Sequence, residues 1–389
     1  MKKLALVLGS LLVVGTAASA KEVVPAPVVV PEKVVEIVEK PVIVYRDREV
    51  APAWRPNGSV DVQYRYYGET ENKISGEDDA PKGKTASWAR DKYEYGRLQT
   101  LTNINFTEKQ NLEIRTRNFQ TLRNGKDSAN GMARSVAPVD ELRLRHHYNF
   151  GEVANSKVTA KSRLEYLQKG GDGEKQLAAS VAFDFANYFF SNDYFKVDKF
   201  AVRPTYIHSW KNHGNDDTVN KYGLNLETEY SLPFGFSVEF NVKSGYARKA
   251  DGYFYTENNG KHRGNYYADL ELYLYNTTNL YKDGNFAVDF VFEGGYDPYT
   301  FNQRRILNIA QADDKDTKAG TLKKGERAQR REYTLYALPA LRATYKPTDF
   351  VTLYAAAGAQ YQNWNRTIES NANGWRWQPT AWAGAKVSF

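Results

Sequence analysis

The 389-residue chain contains no cysteine. That absence removes disulfides, thiolate metal centres and cysteine nucleophiles at once. Histidine is nearly as scarce: the 5 residues are His146, His147, His208, His213 and His262, and none carries the HExxH spacing of a metal site. A serine does follow a histidine in "HSW" at His208, Ser209 and Trp210. Adjacent residues of a strand point to opposite faces, however, so these two cannot act on one another as base and nucleophile. "GDGEKQ" and "NNG" are turn chemistry rather than phosphate cradles. The expectation is a chain that is not an enzyme and holds neither cofactor nor metal. Beyond the first twenty residues there is also no window of about 18 apolar residues, the length a membrane-spanning helix requires.

What the chain has in quantity is aromatic surface: 28 Tyr, 19 Phe and 7 Trp. A mean hydropathy of -0.65 looks soluble. A wall whose residues alternate between an apolar and a polar face reconciles the two, because its average stays low while one face is greasy. The pI near 9.1 would suit nucleic acid, but the start of the chain argues against such a partner. Lys2 and Lys3, an apolar run over residues 4–14, and the small residues Ala18, Ser19 and Ala20 spell an export signal over residues 1–20, with the mature chain beginning at Lys21. Of the formal net charge of +7, two units belong to that signal.

From Gly58 onward one pattern repeats. "SVDVQYRYY" sets Val60, Val62, Tyr64 and Tyr66 on one face and Asp61, Gln63 and Arg65 on the other. The same alternation recurs near 93–106, 111–122, 139–150, 157–168, 176–186, 199–211, 219–231, 236–247, 265–276, 285–296, 331–345, 350–361 and 378–389, fourteen segments in all and an even number. Connections alternate too. Long polar stretches such as "GETENKISGEDDAPKGKTASWARDK" and "ARKADGYFYTENNGKHRG" take turns with short ones such as "TEKQ", "TTNLYKDG" and "KPTD". A soluble β-sandwich has no need of that asymmetry. An all-β, transmembrane antiparallel barrel of about fourteen strands does, with short periplasmic turns and long extracellular loops over residues 58–389. Outward candidates are Leu112 and Ile114, Leu142 and Leu144, Leu224 and Leu226, Val238, Phe240 and Val242, Leu270, Leu272 and Leu274, Val288, Phe290 and Phe292, and Val351 and Leu353. Aromatics end these stripes: Tyr166, Trp210, Tyr246, Tyr296 and Tyr361 beside long loops, Phe106, Phe150, Phe236, Phe286 and Phe389 beside short turns. Two such girdles fit the two interfaces of a membrane.

Residues 21–57 break the pattern. Pro25, Pro27, Pro31, Pro41, Pro52 and Pro56 forbid a continuous ladder. The segment reads as an extended Pro/Val-rich periplasmic linker with at most a helical turn around Glu32 to Lys40, or, more sharply, as a part that contacts peptidoglycan or supports a trimer.

Fixing the outward faces fixes the inward ones. On the second to fifth segments these read Arg97, Arg115, Arg117, Arg143, Arg145, Lys157, Lys161 and Arg163, relieved only by Glu113 and Glu165. On the eighth to eleventh they read Glu227, Glu229, Glu239, Asp269, Glu271, Asp289 and Glu293, relieved by Lys243. Charges segregated in this way are costly in a dry core. In a water-filled lumen they stay solvated and set up a transverse field. Fourteen strands imply a channel narrower than those of sixteen-strand porins, and the function reads as passive diffusion of ions and small hydrophilic solutes. Pairing of the charges across neighbouring strands for stability alone is the blander reading. The longest connector, Asp297 to Arg330, carries Ile306, Leu307, Ile309 and Ala310 and is expected to fold inward and narrow the pore. Nothing between Lys21 and Asn57 is long enough for the plug of an active transporter. A barrel-anchored adhesin with a largely closed pore is the alternative function.

The leader "MKKLALVLGSLLVVGTAASA", the segment "KEVVPAPVVVPEKVVEIVEKPV", the strand "GSVDVQYRYYGE" and the terminal "WAGAKVSF" together resemble the fusobacterial major outer-membrane porins. The resemblance implies a bacterial outer-membrane location and a voltage-gated, rather non-selective pore. It further implies a homotrimer, with loops that act in coaggregation and attachment to host surfaces. It also implies that Phe389, with Val387 and Ala385 at alternating positions, is the signal read by the barrel-assembly machinery, although Val387 stands where tyrosine is frequent.

Overall fold

The computed structural model describes residues 32–38, 42–48, 54–68, 95–121, 140–170, 173–189, 191–211, 218–256, 260–306, 329–365 and 373–389. They fall into two units, Met1–Arg55 and Pro56–Phe389. The export signal lies outside the described residues.

In the first unit β1 (Glu32–Val38) pairs antiparallel with β2 (Val42–Arg48), placing Glu32 opposite Arg48 and Lys33 opposite Asp47. The expected linker with a helical turn is thereby corrected to a hairpin. "KVVEIV" and "VIVY" are β-branched runs, which favour an extended backbone over a helical one. None of the six prolines falls within β1 or β2, so neither strand loses a ladder N–H to proline.

The second unit is a closed antiparallel barrel of 14 strands. In chain order its first nine staves are β3 (Asn57–Tyr67), β4 (Tyr95–Asn105), β5 (Gln110–Thr121), β6 (Glu141–Glu152), β7 (Thr159–Lys169), β8 (Lys175–Asp184), β9 (Lys196–Trp210), β10 (Val219–Ser231) and β11 (Phe236–Lys249). A small hairpin, β12 (Phe254–Thr256) with β13 (Gly260–His262), sits in the long connection that follows. The wall then resumes with β14 (Gly264–Asp283), β15 (Phe286–Ile306), β16 (Gln329–Thr348), β17 (Val351–Asn365) and β18 (Asn373–Ser388). Each stave pairs with its neighbours in the chain, and β18 pairs with β3, from Thr380 opposite Tyr67 to Ser388 opposite Ser59. Closure leaves no sheet edge, the one solution that satisfies every backbone group of a β-structure in lipid.

All fourteen alternating segments coincide with staves. The differences lie at their ends. β14 runs through the stretch read as a turn, "TTNLYKDG", as far as Asp283 and meets β15 at a two-residue hairpin, Gly284 and Asn285, where Gly284 takes a φ of 51°. β15 also continues past Tyr296 to Ile306, absorbing the start of the connector expected to fold inward; residues 307–328, and with them that expectation, lie outside the described residues. β7 begins at Thr159, so Lys157 is an exposed turn residue rather than part of the wall. Residues 186–199 hold a single 3-10 turn (Ala186–Tyr188) before β9, and no additional stave is found there among the described residues.

The seam explains why the last residue does not fray. The Gly58 and Phe389 backbones exchange N–H···O bonds of 2.8 and 3.0 Å. A Cβ at Gly58 would lie 2.3 Å from the Asn103 carbonyl oxygen and 2.9 Å from the Phe389 ring, so only glycine lets that ring approach.

The two faces of the wall differ as the alternation requires. Leu164, Leu224 and Leu341, on one face, are 58, 56 and 54% exposed. Phe106, Phe150, Phe236, Phe286 and Phe389, at the short-turn ends, are all exposed as well. An apolar solvent around the barrel would reward covering each of these by roughly 1.5–3 kcal/mol. Tyr296 departs from its expected place: it lies mid-strand on the outer face, with its ring centroid 5.7 Å from that of Tyr299 and 5.8 Å from that of Tyr333.

Candidate functional site: the charged inner wall

Register puts the sequence-identified ionisable residues on one face of the closed wall, opposite the exposed leucines. Arg97 faces Arg65 across β3 and β4, Arg115 faces Arg143 across β5 and β6, Arg145 faces Glu165 across β6 and β7, and Arg163 faces Ser180 across β7 and β8. Further round, Glu227 faces Asn241, Glu229 faces Glu239, Lys243 faces Asp269, and Asp289 faces Arg342. Counted round the ring of staves, β14, β15 and β16 lie seven positions from β5, β6 and β7. Asp269, Glu271, Asp289 and Glu293 therefore stand across the barrel from the arginines of β5 to β7.

The basic side is less bare than the sequence suggested. Glu141 joins Glu113 and Glu165 there, and each carboxylate takes an arginine: Arg115 and Glu141 form an ion pair, as do Arg145 and Glu165, and Arg143 reaches Glu113 at 2.6 Å. Arg117 also reaches Glu141, at 4.0 Å, so cross-strand pairing accounts for four of the arginines, with three carboxylates shared among them. Arg117 additionally donates through Nε to Gln99 (2.8 Å), and Arg97 donates to the neutral Gln63 (3.2 Å), while Lys161 and Arg163 face Asn149 and His147 in register. Cationic side chains remain in excess along this arc.

β9 supplies residues that reading the second to fifth and eighth to eleventh segments passed over. Arg203 grips Glu227 bidentately, Nε to Oε1 at 2.7 Å and Nη2 to Oε2 at 3.0 Å, and reaches Ser180 Oγ at 3.3 Å. Lys199 adds a third contact to Glu227 at 2.6 Å. Glu227 is therefore the hinge between the two arcs rather than a free acid. Arg342 of β16 likewise meets Asp289 at 3.1 Å. Extending the alternation through the seventh and twelfth segments would have found all three cations.

Beyond Glu227 the acidic side is held by neutral donors as much as by cations. The Tyr336 hydroxyl donates to Glu293, Tyr275 donates to Glu239 at 3.4 Å, Thr300 to Asp269 at 2.6 Å, and Lys243 pairs with Glu271. These tyrosines face inward, and nothing in the sequence pattern separates them from girdle tyrosines except their parity. Elsewhere the Arg65 guanidinium lies 4.3 Å from the Trp382 ring centroid, and Gln378 and Asn363 on β18 and β17 are fully buried. The wall is densest there, whereas along β5 to β7 the paired charged side chains keep 11 to 28% exposure. His208 and Ser209 point to opposite faces, as expected: His208 Nδ1 lies 2.8 Å from Asn220 Oδ1, whereas Ser209 Oγ donates to the Val219 carbonyl at 3.4 Å.

A closed antiparallel barrel with exposed leucines and phenylalanines outside and an ionised wall inside defines a class, the membrane-spanning β-barrel. No family model matches the chain, and no curated protein matches it. Among solved structures it is similar to a bacterial polysaccharide outer membrane secretin (11% identity, 84% of this chain and 98% of that one, TM-score 0.36). It is similar also to the outer membrane channel DcaP of Acinetobacter baumannii (11% identity, 86% and 96%, TM-score 0.34) and to OmpT, an outer membrane protein of Vibrio cholerae (8% identity, 86% and 97%, TM-score 0.32). Likenesses at this level say nothing of what passes through or binds to the present chain, which has to be argued from its own residues.

Proposed function

We propose that the chain is an outer-membrane diffusion pore, admitting ions and small hydrophilic solutes through a hydrated lumen with a basic and an acidic wall. The carrying observation is the pair of facing arcs: Arg97, Arg115, Arg117, Arg143, Arg145, Lys161 and Arg163 on β4 to β7, and Glu239, Asp269, Glu271, Asp289 and Glu293 on β11, β14 and β15. Ions of one sign packed along adjacent strands repel and are poorly solvated in a dry interior. They are supported by water, and water in a barrel of fourteen strands is a conduit. The side chains of Arg117 and Lys243 are 28 and 42% exposed, which supports a wetted wall.

The finer parts of the reading are a homotrimer, voltage gating, adhesive loops and recognition of Phe389 by assembly machinery. They rest on the family resemblance and belong to the same proposal. Planar-bilayer recording of the purified protein tests the pore: discrete conductance steps that scale with bulk salt support it, and silent membranes containing folded, heat-modifiable protein reject it in favour of the adhesin. Deleting the long loops separates the roles, since coaggregation should fall while conductance persists.

A further inference from the structure

The outer face of the barrel is not uniformly smooth. Tyr206, Tyr222, Tyr246 and Tyr266 lie directly opposite one another on β9, β10, β11 and β14, with ring centroids 5.4 Å apart for Tyr206 and Tyr222 and 4.8 Å for Tyr246 and Tyr266. Ala179 continues this row on β8, opposite Tyr206; on its short-turn side the wall carries the small residues Ser162 and Ser244, and Pro204 interrupts the pairing of β9 with β8. The result is an outward recess of about 940 Å³, walled by Leu164 and Leu224 and bounded by the tyrosines.

On the long-loop side a second cavity of about 540 Å³ shares Tyr246 and Tyr266 with the first. Its lining changes character. Lys261, Arg263 and Arg304 contribute three cations, with His262 between them, and among the described residues no carboxylate lines it. Lys261 and Arg263 are exposed, while Arg304 places Nη1 3.4 Å from His262 Nε2 and keeps a buried Nε with no hydrogen-bond partner. An unsatisfied guanidinium nitrogen in a basic pocket is costly unless an acceptor arrives. Gly264 lines the second cavity, and a Cβ there would fall 1.8 Å from the Tyr246 hydroxyl, so the Tyr246 ring lies across the backbone as a partition shared by both cavities.

We infer that these cavities form one binding site for a phosphate-bearing, multiply acylated lipid of the outer leaflet. The phosphates sit among Lys261, Arg263 and Arg304, and the acyl chains lie in the recess below the tyrosine row. The two volumes are in the range of ligand sites. The order of their linings, cationic then aromatic then apolar with increasing depth from the loop end, matches the order of head group, interface and chain in a leaflet. A second copy of this chain would fill the recess but leaves the clustered cations of the second cavity unexplained. The inference depends on the barrel lying in a membrane, and it does not depend on the barrel conducting.

Native mass spectrometry of the full protein in detergent, titrated with bisphosphorylated lipid A, tests it. Diacylglycerol and inorganic phosphate serve as the comparison probes. Wild type should retain the lipid, with either comparison probe bound at least about tenfold more weakly. Lys261→Gln with Arg263→Gln, both exposed and outside the inner arcs, should weaken retention by about tenfold, and Ala179→Trp should do so by filling the recess. Conductance should be unchanged in both, so loss of the pore reading and loss of this one are distinguishable. Equal lipid retention by the double variant, or inorganic phosphate binding as tightly as lipid, would overturn the assignment. So would an Ala179→Trp protein that loses an oligomer while keeping its lipid, which would make the face a contact between copies.

Discussion

Glu227→Gln is the substitution whose cost can be worked most directly from the wall. The Arg203 and Glu227 side chains are 6 and 10% exposed and share two hydrogen bonds of 2.7 and 3.0 Å, whereas Lys199, the third member, is 35% exposed and can turn to water. Removing the carboxylate charge strands only Arg203. Breaking one side of a buried pair costs about 3–5 kcal/mol, and the amide oxygen keeps one acceptor in place, so about 3 kcal/mol is expected. With a urea slope of about 1–3 kcal/mol/M, the unfolding midpoint in lipid vesicles, followed by tryptophan fluorescence, should fall by about 1–3 M. Replacing both partners, Arg203→Met with Glu227→Leu, should recover most of the loss, because the desolvated charges then vanish together. A Glu227→Gln protein within about 0.5 kcal/mol of wild type would refute the claim that this pair is dry and joins the two arcs.

Other expectations follow from single positions. Gly295 has a φ of 142°, and a Cβ there would lie 1.7 Å from the Leu272 carbonyl oxygen, so Gly295→Val should prevent β14 and β15 from pairing and abolish the heat-modifiable band on gels; a normal band contradicts the register. Gly58→Val should do the same at the β3–β18 seam, where the added side chain collides with the Asn103 carbonyl and the Phe389 ring, and wild-type folding yield would remove that argument. The absence of native cysteine makes accessibility easy to read. In lipid vesicles Arg163→Cys should react with a charged thiol reagent and Leu164→Cys should not, and equal labelling of the two would erase the distinction between faces.

The fourteen staves were legible because strand alternation has a period of two and both faces are chemically marked. Val60, Val62 and Tyr64 against Asp61, Gln63 and Arg65 suffice for β3. Stave ends were less legible. Asn279 and Tyr281 continue β14 through a register shift, and a bulge of this kind breaks the alternation that a reader follows. The hairpin of β1 and β2 was missed because prolines were weighed above the β-branched residues between them. On the inner wall the signs of the arcs were readable, and the alternation of β9 places Lys199 and Arg203 inward with Ala201, Thr205, Ile207 and Ser209; what a linear sequence does not display is that both cations converge on Glu227 across the strands. The outer recess was hidden altogether, because it arises from residues aligned across strands, and a linear sequence does not display that alignment.

The claim that the arcs line a hydrated passage is tested most directly by reversal potential under a salt gradient, measured on single channels of the wild type and of a protein with Arg115, Arg117 and Arg143 all changed to Gln. Each charge acting across about 10 Å of water, screened over one Debye length, contributes about 0.15 kcal/mol. Removing three should therefore lower anion permeability about twofold and move the reversal potential toward the cation side, with conductance steps that still rise with bulk salt. Steps with an unchanged reversal potential, or no steps at all from folded protein, would contradict the account.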